Sequence, residues 1–104
     1  MPAISLKNVA AGTANALDGL QFQNLAGPAI ISIFATTAVA GGTIDFSVDS
    51  ENYLNAAQVN IESSADVVDI DRDAVLLREP VQAGKMFLAV NTQVCNVLVL
   101  IEEV

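Results

Sequence analysis

The chain has 104 residues, 53% of them hydrophobic, and a formal net charge of −8 from twelve acidic and four basic residues. It contains no His, no Trp and one Cys, which excludes zinc centres, His-dependent nucleophilic triads and an internal disulfide. The few scattered Lys and Arg residues exclude the phosphate neutralisation that nucleic-acid binding needs.

The first segments predict an edge strand followed by a loop. Ile4–Val9 forms a short β-type run, with Lys7 pointing outward as charged side chains often do on edge strands. Ala10–Leu17 is rich in Ala, but Gly12 and Thr13 weaken a helix, so a loop is expected. The start of the chain has no Leu-rich stretch that would predict a secretory signal.

The next two runs predict a pair of neighbouring strands. Ala29–Thr37 is apolar on both faces, whereas Thr43–Val48 alternates between apolar and polar residues. The connection Ala38–Gly42 predicts a hairpin with a Gly-rich turn. The uncharged run Ala29–Ala40 is too short for a membrane-spanning helix, which needs about 20 apolar residues.

The middle of the chain is less regular. Ser50–Ala57 opens with a Ser suited to a helix N-cap, and we expect one helical turn or a loop there. Gln58–Glu62 alternates and predicts a strand with Val59 and Ile61 inward. Ala74–Arg78 predicts another strand, which Pro80 ends.

The C-terminal part predicts a second hairpin. Lys85–Val90 and Val94–Ile101 are joined through Asn91–Gln93, and Val94–Ile101 is apolar on both sides. Such a strand is either central between two layers or lies against another subunit. Cys95 is predicted to be a buried structural thiol, since the chain has no His to activate it.

Short strands separated by turns at close intervals predict an all-β fold: one antiparallel β-sandwich or jelly-roll-like domain over residues 1–104, with about seven or eight strands. The two strands without a polar face supply the candidate residues for a contact between subunits. These interface candidates are Ile31, Ile33, Val97, Val99 and Ile101.

One cluster of carboxylates is a candidate metal site. Asp66, Asp69, Asp71 and Asp73 lie within eight residues, and Ca²⁺ takes six to eight oxygen ligands. The cluster lacks the Gly and Glu of the EF-hand pattern, and Arg72 lies inside it. The favoured interpretation is a polar turn in which Asp side chains bind local backbone amides. We therefore expect no metal and no other cofactor, and keep a Ca²⁺ site as the alternative.

Taken as a whole, the chain resembles small structural proteins of tailed bacteriophage particles, such as capsid decoration or cement proteins and related virion β modules. The resemblance lies in the acidic composition rich in Ala, Gly, Thr and Val, in the start Met1–Leu6, and in the closing segment Pro80–Val90. It implies a non-enzymatic virion protein, made in the host cytoplasm, that self-associates, often as a trimer. Its further partners would be capsid or other virion proteins, and neither a membrane nor nucleic acid.

The sequence therefore supports two hypotheses on function. The first is a structural protein that self-associates and binds or stabilises a capsid shell, which accounts for the high mean hydropathy of +0.52 and for the absence of catalytic residue types. The second is an acidic ligand-binding β module for Ca²⁺ or a carbohydrate, which accounts for the cluster of Asp residues.

Overall fold

A computed structural model describes residues 3–20, 23–61 and 75–103, and the regular structure in these ranges is entirely β. Nine strand segments occur: β1 (Ala3–Val9), β2 (Asn24–Leu25), β3 (Ala29–Thr37), β4 (Thr43–Val48), β5 (Glu51–Gln58), β6 (Asn60–Ile61), β7 (Leu77–Val81), β8 (Gly84–Asn91) and β9 (Cys95–Glu103). No helix in the described ranges is long and apolar enough to cross a membrane.

The strands form two sheets. Sheet I has the order β1-β9-β3, and the far edge of β3 is shared by β7 and β6. Sheet II has the order β2-β8-β4-β5. Neighbouring strands are antiparallel except for the short parallel pairing of β6 with β3. The predicted all-β antiparallel sandwich is thus confirmed.

A single apolar core lies between the two sheets. Every second residue of the long strands points into it, as the two-residue period of a strand requires. Phe46 of β4 and Leu88 of β8 are opposite each other in sheet II and fully buried. Sheet I contributes Ile33 and Val99, which are also paired across strands and fully buried.

The predicted hairpin between Ala29–Thr37 and Thr43–Val48 is wrong, and so is the one between Lys85–Val90 and Val94–Ile101. In each case the two strands lie in different sheets, and the connection is an arch from one sheet to the other. Each strand instead pairs with a strand that has the same hydrophobic pattern. The two-faced β3 and β9 are aligned over nine residue pairs, and the alternating β4 and β8 over six. This pairing keeps both apolar faces of β3 beside the equally apolar faces of β9.

The true hairpin joins β4 to β5. Val48 pairs with Glu51, and the two turn residues Asp49 and Ser50 have φ values of 47° and 70°. Positive φ at both central positions is the mark of a type I′ turn, whose twist fits the two strands. The expected helical turn or loop at Ser50–Ala57 is therefore wrong, because most of that segment is strand β5.

Two other expected strands are displaced. β7 runs through Pro80 to Val81 rather than ending before it, because β7 pairs only with β3 and an edge strand tolerates a residue without an N–H. In residues 58–61, the described part of the other segment, the ladder is interrupted at Val59, whose N–H donates to the Gly42 carbonyl. Val59 is buried as expected, but Ile61 is exposed and the expectation that it points inward is wrong. The predicted loop Ala10–Leu17 is confirmed apart from one isolated bridge, from Thr13 to Val90.

Candidate functional site

The predicted interface residues lie in the core of the sandwich. Ile31, Ile33, Val97, Val99 and Ile101 are between 0 and 2% exposed, and all five point toward sheet II. None of these side chains reaches the surface of the described chain. A second molecule approaching sheet I therefore meets the residues that alternate with them.

The outward side chains of the same two strands form an apolar surface, which we call the apolar face. It consists of Ile30, Phe34, Leu98 and Leu100, all half-buried. The register places Phe34 directly opposite Leu98, and Leu100 opposite Ser32. Side chains opposite each other in an antiparallel pair share a face and touch. The four residues thus form one patch at the centre of sheet I.

Charged groups approach the apolar face from both ends, and one of them reaches Ser32, which lies between Ile30 and Phe34. Arg78 of β7 donates from Nη1 to Ser32 Oγ at 3.1 Å, and its Nη2 lies 3.8 Å from Glu102 Oε2. Both charged side chains are about half exposed, so the pair adds little to stability. At the other end of the apolar face lies the exposed Lys7 of β1, the residue after Leu6, which is paired with Val97 of β9.

Beyond Phe34 the outer side of sheet I becomes polar and well packed. Thr36 and Asn96 are opposite each other and are 1% and 9% exposed. Asn96 Oδ1 accepts a hydrogen bond of 2.9 Å from the backbone N–H of Asn8. The hydroxyl oxygen Oγ1 of Thr36 is buried without a hydrogen-bond partner, which costs about 1–3 kcal/mol of desolvation.

The outer side of sheet II has a different character, and we call it the polar face. Its outward residues on β4 and β8 are Thr43, Asp45, Ser47, Lys85, Phe87, Ala89 and Asn91. Asp45 is its centre: Oδ2 accepts from Asn91 Nδ2 at 3.2 Å, and Oδ1 accepts from the backbone N–H of Ala56. Ala56 has a φ of 52°, so the carboxylate holds the irregular part of β5 against β4.

A depression of about 300 Å³ lies on the polar face. Its lining is Ala14, Asp45, Ser47, Ser50, Phe87 and Ala89. Phe87 is 37% exposed, and the Lys85 ammonium lies 5.3 Å from its ring centroid. Both carboxylate oxygens of Asp45 already accept hydrogen bonds within the chain. The aromatic group that the depression offers to a ligand is the ring of Phe87, which Lys85 partly covers.

The two arches lie side by side at one end of the sandwich, which we call the arch end. Thr37 Oγ1 donates to the Val94 carbonyl at 3.0 Å, and Thr92 Oγ1 donates to the Gly41 carbonyl, so each arch is bound to the other. Three large apolar side chains there are strongly exposed: Val39 at 56%, Ile61 at 60% and Val94 at 49%. The arch end is a second apolar surface, built from loops and a strand terminus.

Cys95 lies beneath the arches and is 1% exposed. Burial raises the pKa of its thiol, and a hydrogen bond with the Thr37 side chain lowers it by a smaller amount. The neutral thiol donates to the Gln93 carbonyl at 3.4 Å. A buried thiol with a raised pKa is a poor nucleophile, in agreement with the expected structural role.

The described ranges contain no group of three or more metal-ligating side chains. The predicted alternative metal ligands Asp66, Asp69, Asp71 and Asp73 lie outside the described residues.

No protein-family model matches the chain, and neither a curated protein nor a solved structure is similar to it.

The five interface candidates from the sequence lie on the two strands that carry the apolar face, but on the inward side of those strands. A signal for the outward residues was present in the positions of the polar residues. Polar groups gather on the face of a sheet that is directed away from a core. Four polar residues of β3 and β9 have even numbers, as Phe34 and Leu98 do: Ser32, Thr36, Asn96 and Glu102. Thr37 and Glu103 are polar residues at odd positions of the same strands, so this signal favours the even-numbered set as outward but does not decide it.

Proposed function

We propose that this chain is a structural β module of a virion that assembles with copies of itself and binds or stabilises a capsid shell. The observation that carries the proposal is the apolar face on sheet I. The outer side of an antiparallel sheet that faces water is ordinarily polar, as the polar face of sheet II is. Ile30, Phe34, Leu98 and Leu100 therefore fit a surface that is covered in the assembled state.

The strand order supports the proposal at the level of the fold. Strands β1, β3, β7 and β9 alternate along the chain with β2, β4, β5 and β8 of the other sheet. This alternation, with a hairpin between β4 and β5, is the arrangement expected of a jelly roll. Jelly rolls recur in viral capsid and lectin domains, so the fold alone supports either class and the apolar face favours assembly.

The charge distribution adds a second argument. A net charge of −8 keeps a chain of high mean hydropathy dispersed in solution. Assembly then needs a surface on which the acids do not accumulate. The apolar face meets that need, since the described charged residues around it include Lys7 and Arg78 as well as Glu79 and Glu102, and the acids do not outnumber the bases there.

Light scattering on the purified chain tests the proposal. We expect a mass that is a multiple of 10.8 kDa at micromolar concentration. A strictly monomeric mass up to 100 µM would contradict self-assembly. For the virion assignment, we expect genes for a major capsid protein, a portal or a terminase beside the gene for this chain; metabolic neighbours would contradict it.

A further inference from the structure

We propose that the apolar faces of two copies of this chain pack against each other, sheet I on sheet I, and that this contact is the unit of self-association. The inference rests on the proposed function, because it names the partner that covers Ile30, Phe34, Leu98 and Leu100. Sheets that pack face to face bury interdigitated apolar side chains at a spacing of about 10 Å. The outward rows of β3 and β9 have the composition that such packing needs.

The available area is sufficient for a specific contact. β3 and β9 are each nine residues long, which corresponds to about 31 Å at about 3.4 Å per residue. Four neighbouring strands at a spacing of about 4.8 Å make the sheet about 19 Å wide. The whole outer side of sheet I, of which the apolar face is the central part, therefore spans about 600 Å² per copy. A contact over its full extent would bury up to about 1,200 Å² in total, the lower end of the range for stable protein interfaces.

Lys7 and Glu102 would meet under a two-fold rotation, although Glu102 already lies 3.8 Å from Arg78 of its own copy. Lys7 lies toward the Asn96 end of β9, and Glu102 lies six residues further along that strand. A two-fold axis running across the strands at the level of Val99 would place the Lys7 end of each copy over the Glu102 end of the other. Such self-complementary contacts are the commonest form of homo-oligomer interface, and complementary charges fix their register.

The edges of the sheets are poorly suited to association by strand addition. The ladder of β1 is irregular between Leu6 and Val9, with Asn8 at a φ of 54°, and β5 is irregular at two places along β4. β7 carries Pro80. Bulges and prolines are the devices by which natural edge strands avoid pairing with other chains. The face of sheet I is thus favoured over its edges.

The β8 edge of sheet II is covered from within the chain. The N–H groups of Ala16 and Gly12 donate to the carbonyls of Leu88 and Val90 at 2.7 and 2.8 Å. Asn15 Oδ1 accepts from the N–H of Leu88 at 3.2 Å. The segment after β1 thereby takes the place of a neighbouring strand beside β8, and this edge offers no ladder to a second copy.

Three matched substitutions test the contact by light scattering at one fixed concentration. Leu98→Lys changes the centre of the apolar face, Phe87→Lys the polar face and Val94→Lys the arch end. We expect Leu98→Lys to weaken self-association at least tenfold while its circular dichroism spectrum is unchanged, and both other variants to keep the wild-type mass. An oligomer that survives Leu98→Lys but is lost with either other variant would overturn the inference and leave the proposed function standing.

Zero-length carbodiimide coupling of the wild-type chain provides a measurement that does not depend on the folding of a variant. A mixture of ¹⁴N and ¹⁵N protein distinguishes links between copies from links within one copy. We expect an intermolecular link from Lys7 to Glu102. Lys7 links confined to one copy would overturn the face-to-face arrangement, and a monomeric wild type would overturn this inference together with the proposed function.

Discussion

The outer faces of the two sheets are built from paired antiparallel strands of similar length but differ in what holds them together. The polar face is organised by side-chain hydrogen bonds centred on Asp45, which reaches both Asn91 and the backbone of Ala56. The apolar face depends on contact between Ile30, Phe34, Leu98 and Leu100. Its middle also contains Ser32, which accepts a hydrogen bond from Arg78. The first face is complete in a single chain, whereas the second leaves apolar area that a partner could bury.

The largest expected effect separates the inner and outer sides of β3 itself. Ile33→Ala removes a fully buried side chain from the core, and we expect it to lower the free energy of unfolding by about 2–5 kcal/mol. Phe34→Ala changes the next residue, which lies on the apolar face, and should cost about 1 kcal/mol in the monomer. Urea denaturation at one low protein concentration measures both.

When self-association is measured instead of stability, Phe34→Ala should have the larger effect of the two variants. Phe34→Ala is expected to reduce the oligomer mass more than any loss of monomer stability explains, since the ring lies in the proposed contact. Equal losses of stability in Ile33→Ala and Phe34→Ala, with an unchanged mass for the second, would mean that the apolar face is covered within the chain. The comparison between the two outer faces would then no longer concern assembly.

A smaller effect is expected at the centre of the polar face. Asp45→Ala removes the acceptor of the Ala56 N–H and of the Asn91 amide, and we expect a loss of about 1–3 kcal/mol in thermal or urea unfolding. Ser47→Ala, two residues along the same face, is the matched control and should change stability by less than about 0.5 kcal/mol. Equal effects of the two substitutions would show that Asp45 does not organise the polar face.

Much of the strand content could be predicted, because it depends on local pattern. Ala29–Thr37 and Thr43–Val48 have the predicted bounds, and β8 and β9 differ from theirs by one or two residues. The partners of these strands could not be predicted in the same way. Two strands with a short connection give the same sequence pattern whether they form a hairpin or an arch, and only the packing of β3 on β9 decides between them.

The interface residues show a related limit. A strand that is apolar on both faces does not indicate which parity points inward, and Ile31 and Ile33 were as suitable as Ile30 and Phe34. Strand β5 escaped prediction for another reason: its irregular pairing and the positive φ of Ala56 interrupt the alternation by which strands are recognised. The two-faced character of β3 and β9 was visible in the sequence, but the inward set was not.

On the outer side of sheet I, a substitution of Thr36 is expected to raise the stability of the fold. Its hydroxyl is buried without a partner, so Thr36→Val should raise the free energy of unfolding by about 1 kcal/mol. The neighbouring Thr37 donates to the Val94 carbonyl at 3.0 Å, so Thr37→Val should lower it by a similar amount. Thermal melts of the two single variants measure the difference, and a loss of stability in Thr36→Val would show that its hydroxyl has a partner in solution.

The smallest expected effect is a loss of stability at alkaline pH that involves neither outer face. Burial raises the pKa of Cys95, and burial together with the nearby Glu51 raises that of Tyr53. Since each group holds its proton more tightly in the folded state, its contribution is complete below the unfolded-state pKa and is lost as pH rises through the folded-state pKa. For Cys95 the loss begins near pH 8.5–9 and is less than about 1 kcal/mol up to pH 9.

Urea denaturation of the wild type and of Cys95→Val between pH 7 and 10 isolates the contribution of the thiol. Val has no titrating proton and fits the apolar surroundings, so we expect the fall in stability above pH 8.5 to be shallower in the variant and the remainder to reflect Tyr53 and other groups.

In the native wild type, the thiol should also react with an aromatic disulfide reagent far more slowly than in urea, because Cys95 is 1% exposed. Fast native labelling together with identical pH profiles would show that the arches above Cys95 open readily in solution. The arch end, rather than the apolar face, would then be the less stable boundary of the core.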